Sequence, residues 1–186
     1  MTTKNLILKL CEDNFNVHLY PNFLNHKISN DLFTILMTLC SEDPNRRQTY
    51  LFGEKDIEYT VTIGGKATEY KTTSWDQLPI LIPIKKLIEQ VTGDKYTVCV
   101  IQYYPNGATG IKPHRDKEMK PGTTIAGLSL GQTRTLSLFR YGQTIPIQLH
   151  PGSLYIFHPP TNDYWSHSIV TDSTKCPRIS LTFRNY

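Results

Sequence analysis

From Tyr96 to the C-terminus the chain is a succession of short apolar or alternating runs, with Gly or Pro at almost every junction. The runs are TVCVIQYY (97–104), AGLSL (126–130), RTLSLFR (134–140), IPIQL (145–149), GSLYIF (152–157), HSIV (167–170) and RISLTFR (178–184). Each is short and rich in β-branched or aromatic residues, so each predicts a strand. Short strands at regular spacing point to a sandwich or barrel. The N-terminal half is mixed. Ser29 is placed to cap a helix over residues 30–40, where Leu32, Phe33, Ile35, Leu36 and Leu39 form one apolar face. A second helix is expected over 82–92, stopped by Gly93. Between them, residues 46–71 alternate polar and apolar positions and carry Gly64-Gly65 as a hairpin turn. The predicted class is α+β, mainly β: a double-stranded β-helix, or jelly roll, over residues 96–186, with the N-terminal helices packed on one outer sheet.

Composition narrows the setting. The 186 residues fit one domain, 1–186. A domain of this length buries roughly 70% of the surface its unfolded chain exposes, so it needs no covalent staple. Four cysteines, at 11, 40, 99 and 176, lie far apart with no CxxC pair. They make neither a zinc module nor a convincing disulfide framework, and idle thiols in a reducing compartment are expected. Lys4, Lys9, Glu12 and Asp13 interrupt any signal-peptide core, and no run approaches the roughly 18 apolar residues of a membrane span. A cytoplasmic or nuclear monomer, without membrane contact, is the expectation. The net charge of +4 is mild, but its distribution is informative. Lys112, Arg115, Lys117 and Lys120 surround one HRD motif, and Arg46-Arg47 form a second basic pair. Such clusters complement a phosphate backbone or make a solvated basic face.

The HRD motif carries the candidate chemistry. In extended chain, His114 and Asp116 point to the same side, about 6.5–7 Å apart at the backbone, so both can reach one ion. With 6 histidines in the chain, an HxD pair arises readily by chance and says little alone. A third ligand must come from elsewhere. His18 and His26 lie in the N-terminal half, and His150 and His158 each precede proline at a strand end. His167 opens an apolar strand and is the best-placed partner. Two histidines and one carboxylate leave coordination positions open, the pattern of a non-haem Fe(II) oxygenase, whereas a closed zinc site wants a fourth protein ligand.

The last strand adds a separate clue. Arg178, Ser180, Thr182 and Arg184 alternate with Ile179, Leu181 and Phe183, so one face is polar and doubly cationic. Two arginines inside a small β-barrel are costly without anions. Either protein carboxylates pair with them, or a dicarboxylate co-substrate does, held by paired guanidinium hydrogen bonds.

The order HxD, late His, RxxLTFR resembles the AlkB family of Fe(II)- and 2-oxoglutarate-dependent nucleic-acid dealkylases, closest to its DNA-repair branch. The resemblance runs from about residue 46 to the end, through RRQTYLFG (46–53), EYTVT (58–62), QYYPNGATGIKPHRDKE (102–118) and PGTTIAGLSLG (121–131). TRTLSLFR (133–140), HPGSLYIFHPPTNDYWSHSIV (150–170) and PRISLTFRNY (177–186) continue it. It implies that His114, Asp116 and His167 bind Fe(II), and that Arg178 clamps the distal carboxylate of 2-oxoglutarate. It also implies that Arg184, Tyr104, Gln102 and Ser180 lie around the co-substrate. Glu118 would contact the amine of the damaged base, and Arg115 the substrate strand. Tyr59 and Val61 would sit in a nucleotide-recognition lid spanning residues 46–73, where Tyr50, Phe52 and Tyr59 are candidates to stack on a flipped base. Gln102 and Ser180 stand where the family often has asparagine, and Val61 where a relative has phenylalanine. The implied activity is oxidative demethylation of 1-methyladenine- or 3-methylcytosine-type bases in DNA or RNA with O2, releasing succinate, CO2 and formaldehyde. An oxygenase acting on a protein or small molecule is the alternative, and a non-enzymatic jelly roll that binds through its basic face is a third reading.

Overall fold

Alternation of side chains along the strands builds two sheets with one polar interior between them. The computed structural model describes residues 14–40, 44–54, 58–63, 66–117 and 119–186. In chain order the first half contains β1 (Val17–Tyr20), α1 (His26–Met37), β2 (Gln48–Gly53), β3 (Glu58–Ile63), β4 (Lys66–Lys71), β5 (Thr73–Ser74) and α2 (Leu81–Thr92). The second half contains β6 (Val98–Tyr104), β7 (Ile111–His114), β8 (Ile125–Gly131), β9 (Arg134–Arg140), β10 (Gln143–Leu149), β11 (Leu154–Phe157), α3 (Thr161–Tyr164), β12 (Ser166–Ile169) and β13 (Arg178–Arg184). The large sheet runs β1-β11-β8-β13-β6-β2-β5, and the small one β10-β9-β12-β7. Consecutive strands from β6 to β13 pass between the two sheets, except at the β9–β10 hairpin, which stays in the small sheet. That is the wrapping of a jelly roll, as the strand pattern predicts.

The outer face of the large sheet carries the main core. Cys99, Ile101 and Tyr103 of β6, Leu128 and Leu130 of β8, and Ile179, Leu181 and Phe183 of β13 pack there against Leu32 and Leu36 of α1 and Leu81, Ile84 and Ile88 of α2. Burying each such aliphatic side chain contributes about 1.5–3 kcal/mol. A second core lies between the sheets and includes Tyr104, Leu136, Leu138, Tyr155, Phe157 and Trp165. The two faces of β13 therefore meet different environments: helices on the apolar side, the site on the polar side.

Several expectations shift. Helix α1 begins earlier than predicted, because Asn25 caps it: its Oδ1 accepts from Ile28 N at 2.9 Å. Ser29 is instead buried within the first turn. Strands β1 and β7 escaped the pattern: β1 alternates partly buried polar positions, and β7 contains Pro113. The stretch 46–73 divides. Strand β2 pairs with β6 and extends the large sheet, while β3 and β4 form a separate hairpin in register Ile63↔Lys66. Gly64 and Gly65 lie outside the described residues. Phe52 is buried in the core, and Tyr50 packs against that core and donates its hydroxyl to Leu39 O at 2.6 Å. Neither is available to stack on a base, because their strand belongs to the sheet rather than to the hairpin. Among the described residues no helix is long and apolar enough to cross a membrane.

Gly127 on β8 faces the interior, where a Cβ would lie 2.1 Å from Tyr155 Cζ. Its missing side chain is the space in which the Tyr155 ring lies. Gly127→Ala is expected to destabilise the fold by about 1–3 kcal/mol through overpacking, measured by denaturant unfolding.

Candidate metal centre

Strand pairing, not sequence proximity, assembles the metal cluster. His167 of β12 is the direct cross-strand partner of His114 at the end of β7, and their rings stand 4.4 Å apart. Asp116 lies just beyond the strand end. Its Oδ1 is 3.7 Å from His114 Nε2, and its Oδ2 is 3.9 Å from His167 Nε2. The possible ligand atoms of the three residues all lie within 4.8 Å of one another. His114 Nδ1 sits 3.0 Å from the Lys112 carbonyl. As the N–H donor in that bond, Nδ1 leaves the lone pair on Nε2, the nitrogen that faces Asp116. Burial pushes His167 down to about 4, against the opposing pull of Asp116, so its imidazole is neutral and able to ligate. Two imidazoles and one carboxylate on one side fit a divalent ion with open positions.

Asp116 is held from two directions. Asn162 of α3 accepts from Asp116 N through Oδ1 at 3.0 Å and donates Nδ2 to Asp116 O at 2.7 Å. This amide closes both backbone groups of the ligand residue at once. Arg184 Nη2 stands 2.9 Å from Asp116 Oδ2, an ion pair by distance. Burial alone would lower the Arg184 pKa, but Asp116 and Tyr186 outweigh it, and the guanidinium ends above its ordinary value.

Arg178 is the opposite case. It is fully buried, its Nε donates to Ser129 Oγ at 2.9 Å, and neither Nη1 nor Nη2 has a hydrogen-bond partner among the described residues. Its guanidinium lies 5.1 Å from the Tyr104 ring centroid, and burial holds its pKa below the usual arginine value. Nearby Arg134, equally buried, spends its donors on the carbonyls of Asn106, Gly107, Thr109 and Val170 and pairs with Asp172 at 3.0 Å. Arg134 thus ties loops together, whereas Arg178 meets only the Ser129 hydroxyl and the Tyr104 side chain, with no carboxylate partner among the described residues. A buried guanidinium in that state is costly without an anion.

The interior cleft beside the cluster is lined by Gln102, Tyr104, Tyr155, Ser180, Thr182 and Arg184, with Ile111, Leu136 and Ile169 as its apolar walls. Ser180 faces Gln102 across the β13–β6 ladder, and Tyr104 donates its hydroxyl to Gln102 Oε1 at 2.9 Å. Burial raises the Tyr104 pKa and pushes Tyr155 up to about 12, so both phenols remain donors. A second, outer cleft of about 330 Å³ opens on the far side of Asp116. Arg115, Lys117, Lys120 and His158 line it, and Arg115 Nη1 donates to Asp163 O at 2.6 Å. The structure thus brings together His114, Asp116, His167, Gln102, Tyr104, Ser180 and Arg184, with Arg178 buried against Tyr104, and places Arg115 at the outer mouth. Glu118 lies outside the described residues, as do the side chains of Tyr59 and Val61. Ser129, Tyr155 and Asn162 are contributors that sequence reading missed. Asn162 had one usable signal, its position in the turn just before the His167 strand.

Comparison with known proteins places this geometry. The family model described as the 2OG-Fe(II) oxygenase superfamily matches residues 16–184. The human "DNA oxidative demethylase ALKBH2" is 32% identical over 155 residues, covering 76% of this chain and 56% of that protein. The human "Alpha-ketoglutarate-dependent dioxygenase alkB homolog 3" is 28% identical over 191 residues, covering 90% of this chain and 65% of its own length. The chain therefore spans between about half and two thirds of the length of these curated relatives. The solved structure described as OsALKBH1 superposes with a TM-score of 0.69 at 12% identity, covering 94% of this chain and 98% of that one, which establishes the shared fold.

Removing the Asn162 amide frees the backbone on both sides of the Asp116 carboxylate. Asn162→Ala is expected to weaken Mn(II) binding by about 10–100-fold, the usual effect of losing a ligand-orienting partner, while His167→Ala abolishes it. A Mn(II) titration followed by electron paramagnetic resonance of the free ion measures both.

Proposed function

The chain belongs to the 2OG-Fe(II) oxygenase superfamily, and we propose that it removes N-alkyl groups from bases in DNA or RNA. Members of that superfamily use Fe(II), 2-oxoglutarate and O2, and the His114, Asp116 and His167 cluster has the donor set such an iron needs. The co-substrate part of this reading is carried by Arg178, a buried cation whose Nη1 and Nη2 have no hydrogen-bond partner among the described residues and which lies against Tyr104 of the cleft beside the metal cluster.

In this proposal His114, His167 and the carboxylate of Asp116 hold the iron. Arg178 holds the far carboxylate of 2-oxoglutarate through its two Nη groups, with Nε pinned on Ser129. Tyr104, Gln102 and Ser180 line the co-substrate's path; the Tyr155 phenol stays protonated and can donate to it, while the Tyr104 proton is already given to Gln102. Arg184 pairs with Asp116 Oδ2 at 2.9 Å and helps hold that carboxylate in place. The apolar walls Ile111, Leu136 and Ile169 limit water. Bound iron with O2 and 2-oxoglutarate supplies oxidation of the C–H bond beside the alkylated nitrogen. The hydroxymethyl base then breaks its C–N bond, releasing formaldehyde and the restored amine.

The substrate class rests on the similarity to demethylases and on the basic mouth. Arg115, Lys117 and Lys120 around the outer cleft suit the phosphates of a strand delivering a base to the iron. A flipped 1-methyladenine or 3-methylcytosine is cationic, and Glu118 is proposed to face its amine. Tyr59 and Val61 of the β3–β4 hairpin are proposed to cover the base.

A panel of methylated single- and double-stranded DNA and RNA oligonucleotides is expected to yield formaldehyde and a mass loss of one methylene on at least one member. Turnover of 2-oxoglutarate with no product on any of them would redirect the reading to a protein or small-molecule substrate. Separately, Arg178→Ala is expected to weaken 2-oxoglutarate binding by about 3 kcal/mol, roughly 10²-fold, because a buried carboxylate loses its partner. Unchanged affinity in a calorimetric titration would remove Arg178 from the site.

A further inference from the structure

One aromatic cluster near the mouth serves neither the core nor the metal. The β9–β10 turn places Tyr141 at φ 45, a left-handed conformation that a non-glycine residue adopts at a cost of about 1 kcal/mol or more. Its ring gains little in return from burial, being 91% exposed. The Arg140 guanidinium lies over two phenol rings, 5.0 Å from the centroid of Tyr141 and 5.2 Å from that of Tyr164. Tyr164, at the end of α3, is itself half exposed. The result is a Tyr–Arg–Tyr stack whose outer ring faces water.

Its place in the fold gives the stack a direction. Leu138 of β9 is the cross-strand partner of His167, and Ser166 pairs with Phe139. Arg140 therefore follows two residues further along β9, about 6.5–7 Å from the level of the proposed iron ligand and toward the end of the sheet where β12 begins. Tyr164 adjoins Asp163, whose carbonyl receives Arg115, and Asp163 and Arg115 both line the basic outer cleft. An anionic strand lying in that cleft would meet the stack next. Planar, cationic and amphipathic, the stack suits a flat heteroaromatic ring attached to a phosphate chain.

We propose that Tyr141, Arg140 and Tyr164 form a platform on which an unpaired base flanking the target nucleotide stacks, holding the strand while the target occupies the metal pocket. This rests on the demethylase reading above and adds to it a second point of contact, specific to unpaired nucleic acid. Stacking supplies the affinity and the guanidinium steers the neighbouring phosphate. Paired duplex cannot use the platform, since its bases already stack on each other.

The test uses the full chain with Fe(II) and 2-oxoglutarate under anaerobic conditions, and a fluorescent single-stranded oligonucleotide bearing one 1-methyladenine. Tyr141→Ala and Tyr164→Ala are each expected to weaken binding about fivefold or more by anisotropy, as for loss of one stacking contact. Tyr141→Phe retains wild-type affinity, because the ring and not the hydroxyl does the stacking. The slope of affinity against salt and the affinity for 2-oxoglutarate stay unchanged in all three variants, since no phosphate contact and no pocket residue is lost. Unchanged oligonucleotide affinity in both Ala variants overturns the platform, as does a Phe variant that binds as weakly as Ala. If the wild-type chain binds no oligonucleotide at all, yet turns over 2-oxoglutarate once O2 is admitted in a separate assay, the demethylase reading itself has failed.

Discussion

The interior of this jelly roll is organised by an imbalance of buried charge. One face of β13 carries Arg178 and Arg184 into the space between the sheets, where solvation cannot offset them. Only Arg184 finds a protein carboxylate, Asp116. Arg178 is anchored through Nε on Ser129 and lies against the Tyr104 ring. A buried guanidinium is costly without an anion, and among the described residues none reaches Arg178. In the proposed reading a dianion with a carboxylate at each end would meet that need, one end on Arg178 and the other toward the metal cluster. Arg134 is the internal control: equally buried, it exhausts its donors on four carbonyls and Asp172, and it closes loops instead of a ligand site.

Around that imbalance the scaffold is rigid where the chemistry is proposed and open where the substrate must enter. The two histidines are locked as a cross-strand pair, and the Asp116 backbone is held by both ends of the Asn162 amide. Gly127 gives up its side chain so that the Tyr155 ring can lie toward the cleft. The same turn that supplies Asn162 also supplies Asp163 and Tyr164, so ligand orientation, the Arg115 contact and the aromatic rim share four residues of α3. In the proposed reading, strand delivery and metal geometry would be coupled through this one short element.

The regular parts of the fold were legible because they depend on local period. All seven C-terminal runs are strands, and β9 and β13 begin and end where the pattern places them. Gly93 ends α2 in the left-handed conformation expected of it. What failed lacked a continuous apolar run or had competing caps. Strand β7 is interrupted by Pro113 and β1 alternates partly buried polar positions, although both are as long as β11 and β12, and Asn25 outcompetes Ser29 because it precedes the first turn rather than lying in it. Tyr50 and Phe52 were equally compatible with a lid and with a sheet, and only the pairing of β2 with β6 decided between them.

The same division holds at the site. The sequence by itself determined which residues are the candidates: HxD, a late histidine and a strand with two arginines on one face are local patterns, and local patterns survive without coordinates. It could not say whether those arginines face protein carboxylates or a ligand, and the tertiary structure divides them, pairing Arg184 and leaving Arg178 without a carboxylate partner. Nor could it reveal that His114 and His167 are direct neighbours, that Ser129 and Asn162 orient their partners, or that Arg140 lies over two tyrosines. Each of those facts is a contact between segments far apart in the chain. Such contacts are set by strand register and sheet order, and no local period encodes them.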